Sequence, residues 1–328
     1  MDGRWRSLDG RPLFEANVPV SEHYNAVLAD RMTRLFGIEW EQRARGADRN
    51  HAWELVPVPE ELIREFSGRT SHIEREKERL IAEYVEQTGH RPSSAKIIQL
   101  RARATLATRP EKEIHSLFDL TIAWRGRAEK ILGTGAAEWA RQVTARPIAR
   151  PTLRADDIPL DVIGEVAVSV VGVVEEKRST WRHWNLWAEA SRQTMGWRFA
   201  SAEDREAVVG MIVEAAKQES LTITPPELVT VPETFRRADG TSRFRARHSV
   251  VFTSETLLAA EDRLLRRSED MTAPEVSLDV IERVTRKEHL LSAEQSETLA
   301  GIAVSGRQVD LLVGPAGAVK TPARPAPT

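Results

Sequence analysis

The sequence contains no cysteine among its 328 residues. This absence excludes disulfides, cysteine-based zinc sites and thiol nucleophiles. Tyrosine is also scarce, because only Tyr24 and Tyr84 are present. No run of about 18 apolar residues occurs, since the longest candidate, residues 162–174, is interrupted by two glycines and a glutamate. The opening also lacks the apolar core of a signal peptide, so we expect a cytoplasmic protein without a membrane span.

The formal net charge is only −2, with 47 basic and 49 acidic residues. A chain of this balance has no global attraction to phosphate, so any contact with nucleic acid must come from a local patch. A chain of this length also exceeds the usual size of one hydrophobic core, and we expect more than one domain.

The first 145 residues are predicted to be mainly helical. Residues 4–8 and 11–14 are expected to be extended pieces around a turn at Asp9-Gly10, because this dipeptide suits a hairpin loop. Apolar spacing then predicts a helix over residues 21–36, capped by Ser21 and ended by Gly37. Similar patterns with cap and stop signals predict helices starting near Pro59, from Ser71 to Gly89, from Ser94 to about Ala107 and from Ser116 to Gly133.

A proline-rich stretch at residues 146–159 predicts a linker, since proline disfavours helix at the residue before it. Three helices are expected after it, over about 160–176, 179–194 and 201–219. Short extended pieces follow, including a pair around Asp239-Gly240 that ends at residues 249–252. This order of three helices and a hairpin is typical of a winged helix, although other α+β domains share it.

The last part of the chain is predicted to contain helices and one short strand. Thr253 or Ser254 caps one helix, residues 276–291 form another, and Ser292 with Glu294 and Gln295 opens a third. Residues 309–313 are apolar and are expected to form a strand. A helix, a strand and a glycine-rich turn therefore follow one another.

Residues 314–321 match the phosphate-binding pattern G-x-x-x-x-G-K-[ST] except at one position, where Val319 replaces the second glycine. A β-branched residue suits this tight turn poorly, because successive backbone N–H groups must point at the phosphates. The loop normally opens a helix, but residues 322–328 contain three prolines. We therefore expect Lys320 and Thr321 to belong to a solvated tail rather than to a working nucleotide site.

Several segments, in the same order along the chain, resemble the MobF conjugative relaxase-helicases (TrwC/TraI-like, actinobacterial TraA-like). The opening DGRWRSLDGRPLFEANVPVSEHYN resembles the stretch that follows the family's histidine-rich metal strand, and residues 60–133 resemble the helical remainder of the relaxase domain. Residues 175–192 and 250–265 are similar to the region ahead of the helicase motor. LSAEQSETLAG and DLLVGPAGAVKT resemble the adenine-contacting element and the phosphate loop of superfamily 1 helicases.

The resemblance implies a mainly α fold with minor β structure. It predicts the C-terminal part of a relaxase domain at residues 1–145, a linker at 146–159, a helical or winged-helix-like α+β region at 160–275, and a truncated P-loop motor at 276–328. By the same resemblance, a degenerate nucleotide site would comprise Gln295, Gly314, Gly317, Lys320 and Thr321. The parent family uses ATP and magnesium, but we expect this chain to use neither.

The resemblance also implies that the nicking tyrosine and the three metal-binding histidines of the family precede residue 1. The eight histidines of this sequence have no HxH or HExxH spacing, so no metal site is predicted. We therefore expect an internal fragment of a mobile-element relaxase-helicase without catalytic residues.

Two alternatives stay open beside this inactive fragment. The chain is a non-catalytic module for single-stranded DNA, or it completes a relaxase whose N-terminal piece is encoded separately. The candidate DNA contacts are basic residues near tryptophans, since such pairs combine phosphate contact with base stacking: Arg4, Trp5, Arg6, Arg11, Arg178 and Arg182. Trp181, Trp184 and Trp187 recur every third residue, and we expect two of them to lie in a helical core instead.

Overall fold

The structure is a computed structural model that describes residues 10–44, 50–111, 113–145, 151–285 and 292–313. Within these ranges the protein is mainly helical with little β structure, which confirms the predicted fold class at this level. The chain divides into two compact units. One comprises residues 1–219 and 223–252, and the other comprises residues 220–222 and 253–328.

The first unit opens with one long helix and a small antiparallel sheet. Helix α1 spans Arg11–Phe36 and ends at Gly37, whose positive φ of 66° suits a residue without a side chain. Strands β1 (Trp40–Arg43) and β2 (Ala52–Leu55) pair with Trp40 opposite Leu55. The prediction of extended structure at residues 11–14 was wrong, because Pro12 serves as a first-turn residue of the helix.

Five shorter helices follow the sheet. They are α2 (Glu60–Phe66), α3 (Arg69–Thr88), α4 (Ser94–Ala107), α5 (Leu117–Leu132) and α6 (Ala136–Thr144). Gly89 and Gly133 end α3 and α5 with left-handed backbones, as predicted, and the Ser116 hydroxyl accepts a hydrogen bond from the N–H of Asp119. Helices α3 and α4 share a core of Leu80, Leu100 and Ala104.

The best-packed part of the first unit is a three-helix core. Helices α7 (Leu160–Glu175), α8 (His183–Gln193) and α9 (Ala202–Gln218) match the predicted positions closely. Thirteen of their buried residues are aliphatic, and four are polar or charged (His183, Glu189, Ser191 and Arg205). The aliphatic ones are Ile163, Ala167, Val170, Val171, Val174, Leu186, Ala188, Ala190, Val208, Val209, Ile212, Val213 and Ala216. Burial of this apolar surface is the main source of stability in the region.

Helix α1 packs on α8 and α9 through small residues and one buried ion pair. Ala26 and Ala29 are fully buried, which lets the backbones approach. The Arg205 guanidinium donates to both carboxylate oxygens of Asp30, with Nε–Oδ2 at 2.6 Å and Nη2–Oδ1 at 2.9 Å. Both side chains are only 1% exposed. The ion pair therefore links a helix of the predicted first domain to a helix of the predicted second one.

The segment after α9 has less regular structure than predicted. Strands β3 (Leu221–Thr222) and β4 (Phe252–Thr253) are two residues each. Gly240 has a positive φ of 78°, but the expected hairpin there amounts to a single bridge between Arg236 and Ser242. Residues 224–251 contain no strand, so the winged-helix interpretation is not confirmed.

The second unit contains α10 (Glu255–Glu269), α11 (Leu278–Thr285) and α12 (Ala293–Ala303). Ser254 caps α10 as predicted, by accepting a hydrogen bond from the N–H of Leu257. The strand predicted at residues 309–313 does not form, and Leu311 and Val313 are exposed. None of the helices described here combines the length and apolar character needed to cross a bilayer.

Arg205→Met is expected to lower the free energy of unfolding of the first unit by about 3–5 kcal/mol, because it leaves the Asp30 carboxylate buried without its partner. Urea unfolding followed by tryptophan fluorescence measures this, since all nine tryptophans precede residue 198. The matched control is Arg64→Met, which removes an exposed pair with Glu60 and should cost about 0.5 kcal/mol or less. If both variants lowered the free energy of unfolding equally, the buried pair would stabilise the first unit no more than an exposed pair does.

Candidate nucleic-acid groove

Most of the predicted nucleotide site lies outside the described residues. This holds for Gly314, Gly317, Lys320 and Thr321. Gln295 is described, and its side chain accepts a hydrogen bond from the N–H of Ser292 at 2.9 Å, while Ser292 Oγ accepts from the N–H of Gln295. This reciprocal arrangement is a capping box at the start of α12. The observed role of Gln295 is therefore structural, and its adenine contact stays a prediction.

The candidate DNA contacts at the start of the chain are only partly visible. Arg4, Trp5 and Arg6 lie outside the described residues, and Arg11 is the first residue of α1. Arg178 and Arg182 are exposed in the turn between α7 and α8. The Arg182 guanidinium pairs with the Glu15 carboxylate on α1 at 3.1 Å, so part of its charge is already balanced.

A groove runs between α1 on one side and the end of α7 with α8 on the other, and it continues to the β1–β2 sheet. It consists of three cavities of about 510, 500 and 530 Å³ that adjoin because each shares lining residues with the next. Arg178, Lys177 and Trp184 line one end. Trp40 and Trp53 line the other. We call this surface, from Arg178 to Trp53, the groove.

Tryptophans give the groove partly exposed aromatic surface. Trp40, Trp53, Trp184 and Trp197 are all half-buried and line it. Trp53 is held against the backbone of Gly196, where an added Cβ would lie 3.1 Å from the Trp53 Cη2 atom. A side chain at residue 196 would therefore require the Trp53 ring to shift by a few tenths of an ångström.

Charges in the groove are balanced in the middle and basic at one end. The Arg192 guanidinium contacts the Glu22 carboxylate at 2.8 Å and the Glu189 carboxylate at 3.2 Å. Lys177 and Arg178 are exposed and form no ion pair with another described residue. The end beside Trp184 is thus the part with cationic groups available to an anion.

The tryptophan repeat around the start of α8 is divided between core and surface. Trp181 is 1% exposed and bonds through its backbone to Phe252, whereas Trp184 and Trp187 are half-buried around the imidazole of His183. Burial lowers the pKa of His183 to about 3, so this imidazole is neutral at physiological pH. Arg178 lines the same cavity as Trp184, and its role in DNA binding stays a prediction. The sequence prediction did not include Lys177, Trp40, Trp53 or Trp197.

Among the described residues, the groove contains no cluster of metal-binding side chains and is lined by neither tyrosine of the sequence. The described ranges contain no group of three or more histidine, aspartate or glutamate side chains placed to hold a metal ion. Tyr24 is 64% exposed on α1, and Tyr84 packs beside the Leu80 core of α3 and α4. The half-buried tryptophan rings and the cationic end of the groove are suited to binding through stacking and charge.

Comparison with known proteins identifies one family. Residues 1–131 match the family model described as TrwC relaxase. No curated protein and no solved structure matches the chain. The likeness of residues 132–328 to the pre-motor and motor regions of relaxase-helicases therefore stays a prediction. For residues 1–131 the resemblance inferred from the sequence is confirmed, and this part of the chain is similar to a TrwC relaxase.

Proposed function

We propose that this chain binds single-stranded DNA through the groove and contributes to conjugative DNA processing without supplying the nicking chemistry. The observation that carries the proposal is the basic end of the groove. Lys177 and Arg178, which have no ion-pair partner among the described residues, line it together with the half-buried ring of Trp184. The similarity of residues 1–131 to TrwC relaxases supports the choice of DNA as the polymer.

The groove favours a single strand over a duplex. Its aromatic rings are recessed between helices, and only unpaired bases can leave their stack to contact such ring faces. Lysine and arginine at the rim contact backbone phosphates without reading sequence. We therefore expect binding that depends strongly on salt and weakly on base identity.

The domain division inferred from the sequence also stays a proposal. In it, residues 1–145 continue a relaxase domain, 160–275 form a pre-helicase region after the linker at 146–159, and 276–328 begin a degenerate motor. The buried pair between Asp30 and Arg205 supports one change to this division: α1 packs with the pre-helicase helices and belongs to the same structural unit. The cytoplasmic location belongs to the same proposal.

A second candidate function is completion of a relaxase by a separately encoded piece. It is favoured by α5, on which none of the described side chains is buried and four large apolar residues are exposed: Leu117, Phe118, Ile122 and Trp124. An apolar helix face of this kind marks a surface that packs against another element. By resemblance, that element would be the sheet carrying the family's histidines and tyrosine.

Lys177→Gln with Arg178→Gln is expected to weaken binding of a labelled single-stranded oligonucleotide and to flatten its salt dependence. Losing two phosphate contacts should make the negative slope of log binding constant against log salt concentration shallower by about 1.4. Fluorescence anisotropy over a series of salt concentrations measures this. The control is Arg266→Gln with Arg267→Gln on α10, which removes the same charge elsewhere. Equal losses in both double variants would show that the groove is not the binding surface.

Trp184→Leu tests the stacking contribution separately, since leucine keeps an apolar side chain but removes the aromatic face. Stacking on one base is worth about 1–3 kcal/mol, so affinity should fall while the salt slope stays unchanged. Unchanged affinity with a normal circular dichroism spectrum would contradict a stacking role for this ring.

The purified chain is expected to leave supercoiled plasmid intact in magnesium or manganese, because the groove assembles no metal ligands or nucleophile. Agarose electrophoresis measures nicking. Co-expression with an upstream-encoded histidine and tyrosine segment distinguishes the second candidate function. Nicking that appears only in the mixture and is lost with Phe118→Ser would support completion through α5. Cutting by the chain alone would refute the non-catalytic proposal.

Calorimetric titration with ATP and magnesium is expected to give no saturable heat, since Val319 occupies the position of a turn glycine. Val319→Gly restores the loop pattern and serves as the matched variant. Micromolar binding by the unmodified chain would contradict the prediction that the nucleotide site is degenerate.

A further inference from the structure

A second cavity of about 670 Å³ lies in the first unit, and its lining residues are different from those of the groove. It is formed by the start of α8, the end of α9 and the irregular segment between residues 227 and 252. Its size falls in the range of small-molecule sites. The lining groups that carry the argument are His183, Lys217, Arg237, Asp239, Arg247 and His248.

Two stacked imidazoles form one wall of this cavity. The ring centroids of His183 and His248 are 3.9 Å apart, and the ring planes differ by 17°. His183 is 8% exposed, and its Nδ1 atom is buried without a hydrogen-bond partner in the described structure. An unsatisfied buried polar atom is costly, so its presence in a native site calls for a ligand or another compensating role.

The position of His248 depends on an unusual backbone. Its φ of 58° is the one positive value among the non-glycine residues described. Left-handed backbone at such a residue costs energy and is often found at binding sites, where the surrounding structure holds it in place. Here it brings the exposed imidazole of His248 over the buried ring of His183.

Most charges around the cavity already have partners. The Lys217 ammonium contacts the Glu214 carboxylate at 2.6 Å, and Arg245 contacts Glu227 at 3.3 Å. Asp239 accepts hydrogen bonds from the backbone and hydroxyl of Thr241. Glu214 and Glu227 are therefore paired with cations, whereas Asp239 keeps its negative charge near Arg237 and Arg247.

Two guanidinium groups of the cavity have no carboxylate partner among the described residues. Arg237 donates hydrogen bonds to the backbone carbonyls of Ser242 and Arg245. Because these acceptors are neutral, they do not balance the positive charge of Arg237. Arg247 is exposed and forms no ion pair or hydrogen bond with another described residue. The cavity therefore has an excess of positive charge beside two imidazoles.

We propose that this cavity binds a phosphate monoester, with Arg247, Lys217 and His248 contacting the dianion and His183 supplying a buried nitrogen. With both imidazoles neutral, the four basic and three acidic side chains of the lining leave one net positive charge. Protonation of His248 on binding brings this to two, which a monoester dianion balances and a diester monoanion does not. Guanidinium and imidazole N–H groups are the side-chain donors that suit phosphate oxygens. This inference goes beyond the DNA-binding groove, since it concerns different residues and a different ligand.

Binding should take up protons. Burial lowers the pKa of His248, and the positive charges of Lys217 and Arg247 lower it further, while Glu214 and Asp239 oppose this. Burial, His248 and Lys217 likewise lower the pKa of His183. Arg237, Arg245 and Glu227 face the same cavity. A bound dianion raises both pKa values, so at about pH 8, where the free ligand is already mostly dianionic, the bound state should hold more protons than the free components.

The test is isothermal titration of the full chain with inorganic phosphate in buffers of different ionisation enthalpy. One-site binding with net proton uptake is expected at about pH 8, where free phosphate is mostly dianionic. Arg247→Gln and His248→Asn should each weaken it about tenfold, corresponding to loss of one charge-assisted hydrogen bond. Asparagine tolerates the left-handed backbone, so the second variant should stay folded. Arg243→Gln, an exposed arginine of the same segment that does not line the cavity, is the control.

Two further titrations identify the kind of phosphate that binds and test whether phosphate binding is independent of DNA binding in the groove. A 5′-phosphorylated trinucleotide should displace inorganic phosphate, whereas the same trinucleotide with a 5′-hydroxyl should not. Lys177→Gln with Arg178→Gln should leave phosphate binding unchanged. Absence of saturable phosphate binding, equal loss in Arg243→Gln, or equal displacement by the 5′-hydroxyl trinucleotide would each overturn the monoester site.

Discussion

The first unit depends on the buried pair between Asp30 and Arg205, because this contact determines where α1 sits on the α7–α9 core. The Asp30 carboxylate also accepts a hydrogen bond from the backbone N–H of Phe199, and Arg205 donates to the carbonyls of Thr194 and Trp197. The pair thus joins α1, α9 and the turn after α8. A buried ion pair is tolerated when its remaining hydrogen-bonding groups are satisfied, and this network largely meets that condition.

The groove follows from this constraint. Helix α1 forms one wall, and the Trp40 and Trp53 rings pack against Ala26 and Met195 at its far end. Moving α1 would therefore change the separation of the rings from the cationic end at Lys177 and Arg178. The phosphate cavity is built differently, since it depends on His183 at the start of α8 and on the left-handed backbone of His248. The two sites meet at the start of α8, where the Trp184 ring of the groove contacts both imidazoles of the cavity.

Local signals predicted much of the helical structure. Gly37, Gly89 and Gly133 end helices with positive φ values, since glycine has no side chain to oppose that backbone. Ser116 and Ser254 cap helices with their hydroxyl groups, as their sequence contexts indicate. These local signals gave wrong predictions where contacts with distant parts of the chain determine the secondary structure. Residues 11–14 extend α1, and apolar residues 309–313 form no strand because no partner strand lies beside them in the described part of the chain.

The sequence by itself determined the helix periodicity, most helix ends, the absence of cysteine chemistry and the relaxase resemblance of the first 131 residues, because each depends on residues close together along the chain. It also indicated Arg178 as a cation near tryptophans. Only the tertiary structure decided that Arg182 is paired with Glu15, that Trp40 and Trp53 share a groove with Lys177, and that His183 stacks on His248. These pairs are separated by tens to more than a hundred residues, and no local pattern encodes contacts at such distance in sequence.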